Sequence, residues 1–109
     1  MRSNQTTEGL KITMQYRARN RMVYELESGA SAFDVHVWQR AIEGEVSGWR
    51  VEAHNGRGPD AVVVAGLGAS RTEALLEVAR AWADQDTRRA LPPLDWNAIV
   101  SLLGSVRAL

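Results

Sequence analysis

Apolar and polar residues alternate one by one over the first part of the chain. Between residues 10 and 17 every even position is apolar, and the alternation resumes at residue 22 and continues to residue 26. A period of two is typical of a strand with one buried face. Residues 18–21 favour a turn, so residues 10–27 are either a hairpin or one long bent strand. The apolar side chains predicted to share the first buried face are Leu10, Ile12, Met14 and Tyr16.

Two further alternating segments, residues 33–42 and 49–54, predict a second pair of antiparallel strands. The odd-numbered residues of both segments are mostly apolar and are expected to face the core. If the segments pair, the apolar faces match only where the two paired residue numbers have an even sum. A one-residue slip would place Val37 beside Glu52 or His54, because it turns every side chain to the opposite face.

A strand, a glycine turn and a capped helix are predicted between residues 60 and 85. The β-branched run at residues 61–65 indicates a short buried strand, and Gly66 and Gly68 are expected to end it in a turn. Ser70 and Glu73 have the spacing of a capping box, which predicts a helix over residues 70–85. The predicted buried stripe of this helix consists of Leu75, Val78, Ala79 and Trp82.

The last segment predicts a helix that is apolar over more than half of its circumference. Asp95 is placed to cap this helix after the prolines of the preceding linker. One surface of a small domain buries a single apolar stripe, so the rest of the helix needs another cover. We favour a second copy of the chain in a homodimer; the alternative is that the helix covers Trp38 and Ile42 of its own sheet. The residues predicted for self-association are Trp96, Ile99 and Leu103.

Taken in chain order, these elements predict an α+β domain. The expected architecture is an antiparallel meander of three to four strands followed by two helices, with the capped helix packed on the sheet. Residues 1–9 lack a hydrophobic pattern and are expected to be disordered. Residues 10–86 are predicted to form the core, residues 87–94 a linker, and residues 95–109 the C-terminal helix, either within the domain or at a dimer interface.

Composition narrows the class of protein. With 109 residues and no cysteine, the chain is expected to fold as one domain without disulfides, cysteine metal ligands or a thiolate nucleophile. No apolar run approaches the roughly 20 residues that span a bilayer, and residues 1–10 lack the apolar core of a signal peptide, so a cytoplasmic protein is expected. Arginine supplies 12 of the 13 basic residues, which we interpret as the codon bias of a GC-rich bacterial genome.

Two glycines before the capped helix suggest a phosphate-binding turn only weakly. Gly66 and Gly68 precede a helix start, and Arg71 is close enough to assist. The third glycine of a dinucleotide fingerprint and the lysine of a P-loop are both absent, and Ser70 already caps the helix. We therefore interpret the glycines as a turn.

A metal site is the other weak possibility. His36 and His54 would share the outer face of the sheet with Asp34 or Glu52, but no third ligand has a recognisable spacing. No hydrolase elbow and no acid–base pair stand out either. We therefore predict a non-enzymatic protein without metal or cofactor.

The most informative set of residues for function is a tryptophan surrounded by arginines and histidines. The predicted binding face consists of His36, Trp38, Arg40, Arg50 and His54, and such a face can stack unpaired bases. Two acidic residues on the same face and a formal net charge of zero, 13 basic against 13 acidic residues, argue against nucleic acid.

The first 24 residues are locally basic, with five basic residues against one acidic residue. Arg17, Arg19 and Arg21 could touch phosphate or an acidic partner, although such charges usually protect a strand edge. The sequence thus favours a self-associating interaction module, with a protein partner possible. A nucleic-acid-binding module is the alternative.

Overall fold

The computed structural model describes residues 9–29, 31–42, 45–56, 61–89 and 94–105, and within these it leaves out the side chains of residues 41–47 and 85–89. Five strands form one antiparallel sheet in the order β1-β2-β3-β4-β5 and are followed by two helices. The predicted α+β meander is therefore confirmed, with five strands rather than three to four. The elements are β1 (Leu10–Ala18), β2 (Arg21–Ser28), β3 (Ser31–Ile42), β4 (Glu45–Asn55), β5 (Val62–Gly68), α1 (Arg71–Arg89) and α2 (Trp96–Ser105).

Residues 10–28 form a hairpin, which decides the question that the alternation left open. The turn between β1 and β2 places Arg19 at a φ of 54°, the left-handed region. A β-bulge in β1 between Ile12 and Met14 inserts one extra residue and turns the rest of the strand over. The prediction that Met14 and Tyr16 share the face of Ile12 is therefore wrong: both side chains lie on the opposite face and are exposed.

The predicted register between β3 and β4 is confirmed. Val37 pairs with Val51 and Val35 pairs with Ala53, so the paired residue numbers have an even sum. Along β3 this register holds from Phe33 to Arg40, after which it shifts by one residue. It places the valines and Phe33 in one buried cluster on the face that carries the helices, which we call the core face.

Strand β5 is longer than the apolar run alone predicts, and it lies at an edge of the sheet. Gly66 and Gly68 continue the strand instead of ending it, and alternate residues are exposed. A Cβ on Gly68 would lie 2.5 Å from the backbone nitrogen of Ala74, and one on Gly66 would lie 2.7 Å from the Ala74 carbonyl oxygen. The glycines are therefore required because α1 packs directly on this strand.

Helix α1 begins as the capping box predicts. The Ser70 hydroxyl accepts a hydrogen bond from the Glu73 amide at 3.1 Å, and the Glu73 carboxylate accepts one from the Ala69 amide at 3.0 Å. The predicted stripe is also confirmed, because Leu75, Val78 and Trp82 are buried against the sheet. The helix continues to Arg89, four residues beyond its predicted end.

Helix α2 packs on the core face beside α1. Its cap is confirmed, since Asp95 accepts a hydrogen bond from the Ala98 amide at 3.2 Å. Trp96 lies between the rings of Trp82 and Phe33, with ring centroids 5.6 Å and 6.4 Å apart. The alternative that α2 covers Trp38 is therefore wrong, because Trp38 lies on the other face of the sheet.

Several predictions concern residues outside this description. Residues 1–8, the linker residues 90–93 and residues 106–109 are not described, and neither is the side chain of Ile42. Within the described part of the chain, no helix has the length and apolar character needed to cross a membrane.

Candidate functional site

The face of the sheet opposite the core face, here called the outer face, carries neither of the two described helices. Antiparallel sheets commonly bury one face and leave the other in water. Three rows of side chains run across all five strands on this face. From β1 to β5 they are Met14, Glu25, Asp34, His54 and Val63; Tyr16, Val23, His36, Glu52 and Ala65; and Ala18, Arg21, Trp38, Arg50 and Leu67.

The margins of the outer face are apolar. On β1, Met14 is 54% exposed and Tyr16 is 37% exposed, and on β5, Val63 is 47% exposed and Leu67 is 48% exposed. Among the described residues, only one other large apolar side chain is comparably exposed, Leu76 of α1. Exposed apolar side chains gathered on one face indicate an interaction surface more than scattered ones do.

Four planar side-chain groups from different rows stack on one another in the middle of the outer face. The Arg21 guanidinium lies 5.2 Å from the centroid of the Trp38 ring. His36 stacks on Trp38 with ring centroids 6.0 Å apart, and on His54 with centroids 4.1 Å apart. The structure therefore brings together three members of the predicted binding face, His36, Trp38 and His54.

The Glu52 carboxylate contacts two neighbouring side chains, Arg50 and His54. Glu52 accepts hydrogen bonds from Arg50 at 2.8 Å and 3.0 Å, and its other oxygen lies 3.0 Å from His54 Nε2. Burial raises the pKa of Glu52, but the hydrogen bonds and charges of Arg50 and His54 outweigh it, so that the pKa is lowered. Arg50 is therefore already engaged within the sheet.

His36 is neutral at pH 7. Its pKa is lowered from 6.5 to about 4, first by burial and then by the charges of His54 and Arg21, while Asp34 and Glu52 oppose the shift. Its Nδ1 atom is buried and has no hydrogen-bond partner in the described part of the molecule. His36 is therefore an uncharged ring at this pH, stacked on His54 and Trp38.

The geometry gives no support to a metal site on the outer face. The His36 and His54 ring planes are inclined by only 21°. Nitrogen lone pairs lie in the ring planes, so stacked rings do not direct them to a common point between the two residues. Across the described ranges, no group of three or more histidine, aspartate or glutamate side chains is placed to hold a metal ion.

Charges on the outer face are balanced. Arg40 lies beyond Trp38 on β3, and Lys11 forms an ion pair with Glu27 at 3.7 Å near the other end of the sheet. Among residues whose side chains the structure describes, four basic and four acidic ones belong to this face by register. They are Lys11, Arg21, Arg40 and Arg50, and Glu25, Glu27, Asp34 and Glu52.

The two edges of the sheet differ in their protection against pairing with another chain. Strand β1 has a β-bulge and carries Lys11 and Arg17, all of which are known to deter edge-to-edge association. Strand β5 contains no charged residue and no proline, and its pairing with β4 shows no register shift. Strand β5 is therefore itself regular and uncharged, and the charged residues beside it at Ala65 belong to α1.

The residues predicted for self-association lie inside the chain. Trp96 is 8% exposed, Ile99 is 1% exposed and Leu103 is fully buried, all within the core shared by the sheet and α1. A role for these side chains in self-association stays a prediction, and it would require α2 to leave the core.

The pattern of apolar and polar residues does not reveal the apolar margins of the outer face. The bulge that exposes Met14 and Tyr16 has no signature in a chain whose alternation continues through it. The alternating exposure of β5 was hidden because residues 61–65 are all apolar. A useful signal was present in the glycines: a glycine at every second position of a strand, Gly66 and Gly68, indicates a helix packed closely on one face.

Comparison of the chain with models of protein families, with curated proteins and with solved structures finds no match.

Proposed function

We propose that this protein is a non-enzymatic interaction module that forms a homodimer through the edge of β5. The observation that carries the proposal is the contrast between the bulged, charged edge strand β1 and the regular edge strand β5, which contains no charged residue. An unprotected edge strand offers a row of backbone N–H and C=O groups to a strand of another chain. A second copy supplies such a strand with the same length and composition.

Two-fold symmetry gives the expected register. If two β5 strands pair antiparallel around Ala65, Val63 of one copy lies opposite Leu67 of the other. Both side chains belong to the outer face and are about half exposed in the single chain. Directly opposed apolar pairs stabilise antiparallel strands by about 0.2–1 kcal/mol each. The dimer would thus join two five-stranded sheets and bring together the apolar β5 margins, Val63 and Leu67, of the two copies.

Charge also favours a second copy as the partner. The outer face has equal numbers of basic and acidic residues in its described part, so two copies related by symmetry need not repel each other. The apolar stripe of α2 is not required for this interface. Substitution of Leu103 by glutamate would be uninformative, because Leu103 is fully buried and the change would unfold the chain.

The test is a comparison of two lysine substitutions. Leu67→Lys puts a charge on the outer face at the proposed interface, and Leu76→Lys is the matched control, because both leucines are 48% exposed. We expect Leu67→Lys to weaken dimerisation by at least about thirtyfold, the equivalent of about 2 kcal/mol. Molar mass from light scattering over a dilution series measures this, and circular dichroism checks that both variants remain folded.

The proposal predicts a dimer for the wild type and for Leu76→Lys, and a monomer for Leu67→Lys at the same concentration. A wild-type chain that stays monomeric at high concentration would contradict it. So would equal dissociation in the two variants, since that would place the interface elsewhere.

Nucleic-acid binding through the outer face is the second candidate function. The contiguous stack of Arg21, Trp38, His36 and His54 favours it, because every base has a flat face that can stack on such rings. The balanced charge weakens it, because phosphate contacts supply most of the affinity of such proteins. Engagement of Arg50 by Glu52 weakens it further.

We expect labelled single-stranded DNA to bind weakly or not at all, even at low salt. Fluorescence anisotropy measures this, with Trp38→Ala as the comparison. Tight binding that falls steeply with salt and disappears in Trp38→Ala would make nucleic-acid binding the preferred function.

A further inference from the structure

A pocket of about 80 Å³ lies at one end of the core face, between the turn that joins β1 to β2 and the first residue of α1. Met22 and Val37 of the sheet supply apolar wall, and the Trp49 ring lies beside them. This volume is several times what one water molecule requires. It accommodates a small chemical group.

Every polar side chain that lines the pocket can donate hydrogen bonds, and the two carboxamides can also accept them. Arg17 and Arg71 contribute guanidinium groups, and Asn20 and Gln39 contribute carboxamides. None of the described residues that line the pocket is acidic. Arg21 is a further lining residue, but its guanidinium lies over the Trp38 ring on the outer face.

Arg71 is held in place by its surroundings. Its guanidinium lies 5.8 Å from the centroid of the Trp49 ring and donates a hydrogen bond to the Gly104 carbonyl oxygen at 3.3 Å. A guanidinium has five N–H donors, so the bond to Gly104 can persist while other N–H groups bind a ligand. A donor that is fixed before binding loses less entropy when the ligand arrives.

Arg17 reaches the same pocket from strand β1. It pairs with Met22 across the β1–β2 hairpin, on the core face, and is exposed. The α1 amides are not needed for an anion in this pocket, because Ser70 and Glu73 already cap the helix.

We propose that this pocket binds a small anion, with a carboxylate or phosphate group between Arg17 and Arg71 and any apolar part of the ligand against Trp49. Guanidinium groups bind both kinds of oxyanion through paired N–H donors. The site is independent of the proposed dimer, since the pocket lining includes no residue of β5.

The experiment is an NMR titration of the full chain that follows the indole N–H signal of Trp49. The probes are sodium phosphate and sodium benzoate, with sodium chloride at matched ionic strength as the reference. Arg17→Gln removes one guanidinium, and Arg80→Gln is the matched control, because Arg80 lies on α1 outside the pocket and pairs with Glu77. The Trp49 signal is assigned with Trp49→Phe.

We expect phosphate or benzoate to shift the Trp49 signal saturably, beyond the effect of chloride. Arg17→Gln should weaken this binding by about tenfold or more, and Arg80→Gln should leave it unchanged. Saturation by benzoate alone identifies a carboxylate on an apolar body, and saturation by phosphate alone identifies a phosphate group. The proposal is overturned if neither probe shifts the signal more than chloride does, or if Arg80→Gln weakens binding as much as Arg17→Gln.

Discussion

At the scale of single residues, His36 shows how the sheet determines the chemistry of a side chain. Its stacking between Trp38 and His54 buries the ring and lowers its pKa from 6.5 to about 4. The sequence places His36 correctly on the outer face. The sequence could not predict the pKa shift, because that depends on groups from β2 and β4 that only the folded sheet brings together.

The lowered pKa of His36 predicts a loss of stability in mild acid. Between pH 6.5 and about 4, the unfolded chain takes up a proton on His36 that the folded chain does not. This contribution is therefore present above pH 6.5 and is lost as the pH falls to about 4. We expect the free energy of unfolding to fall by about 1–3 kcal/mol over this range on account of His36.

Urea denaturation of the wild type and of His36→Gln at several pH values measures the effect. Glutamine does not titrate, so the variant should show a flatter dependence between pH 6.5 and 4. Glu52, whose pKa is also lowered, contributes a further loss as the pH falls through its folded pKa in both proteins. Parallel curves for the two proteins would refute the role given to His36.

The glycines of β5 give a second prediction at this scale. Gly68→Ala would place a Cβ 2.5 Å from the backbone of α1, whereas Gly104→Ala would meet only the Thr72 hydroxyl, at 3.2 Å. Backbone cannot move aside as a side chain can. Gly68→Ala should therefore cost about 1–3 kcal/mol of stability or more. Gly104→Ala should cost little, because alanine favours the helix by about 1 kcal/mol. Thermal or chemical unfolding of both variants gives the ordering, and similar losses would be inconsistent with it.

At the scale of the elements, α1 is the part of the fold that local sequence determines best. Its cap and its buried stripe both depend on residues a few positions apart, Ser70 with Glu73 and Leu75 with Val78. The bulge in β1 is different, because an inserted residue changes the face of Met14 without changing the alternation. The edge position of β5 and the face chosen by α2 depend on strand order, which the alternation does not contain.

The Ser70 cap and the packing of Leu75 contribute differently to the stability of the fold. Ser70→Ala removes an exposed cap and should cost about 1 kcal/mol. Leu75→Ala leaves a cavity at a fully buried position and should cost about 2–5 kcal/mol. Chemical denaturation of both variants measures these losses of stability. A larger loss for Ser70→Ala than for Leu75→Ala would contradict the predicted order.

At the scale of the whole molecule, the two helices on one face determine what is left for binding. They bury Phe33, Val35 and Val51 on the core face and leave the outer face, with Trp38 and the apolar margins, open. The alternation predicted that His36, Trp38 and His54 share this face, but it did not predict that Arg21 stacks on Trp38. It could not predict the margins, because these depend on the bulge and on which strands are edges.

The central claim is that β5 pairs with β5 of a second copy, and hydrogen exchange of backbone amides tests it most directly. Amides of β5 that do not bond to β4 should be protected in concentrated solution and exchange rapidly after dilution. Outward amides of β1, the other edge, serve as the internal control and should exchange at the same rate at both concentrations. Protection of β5 that does not change on dilution, or equal changes at both edges, would contradict pairing through β5.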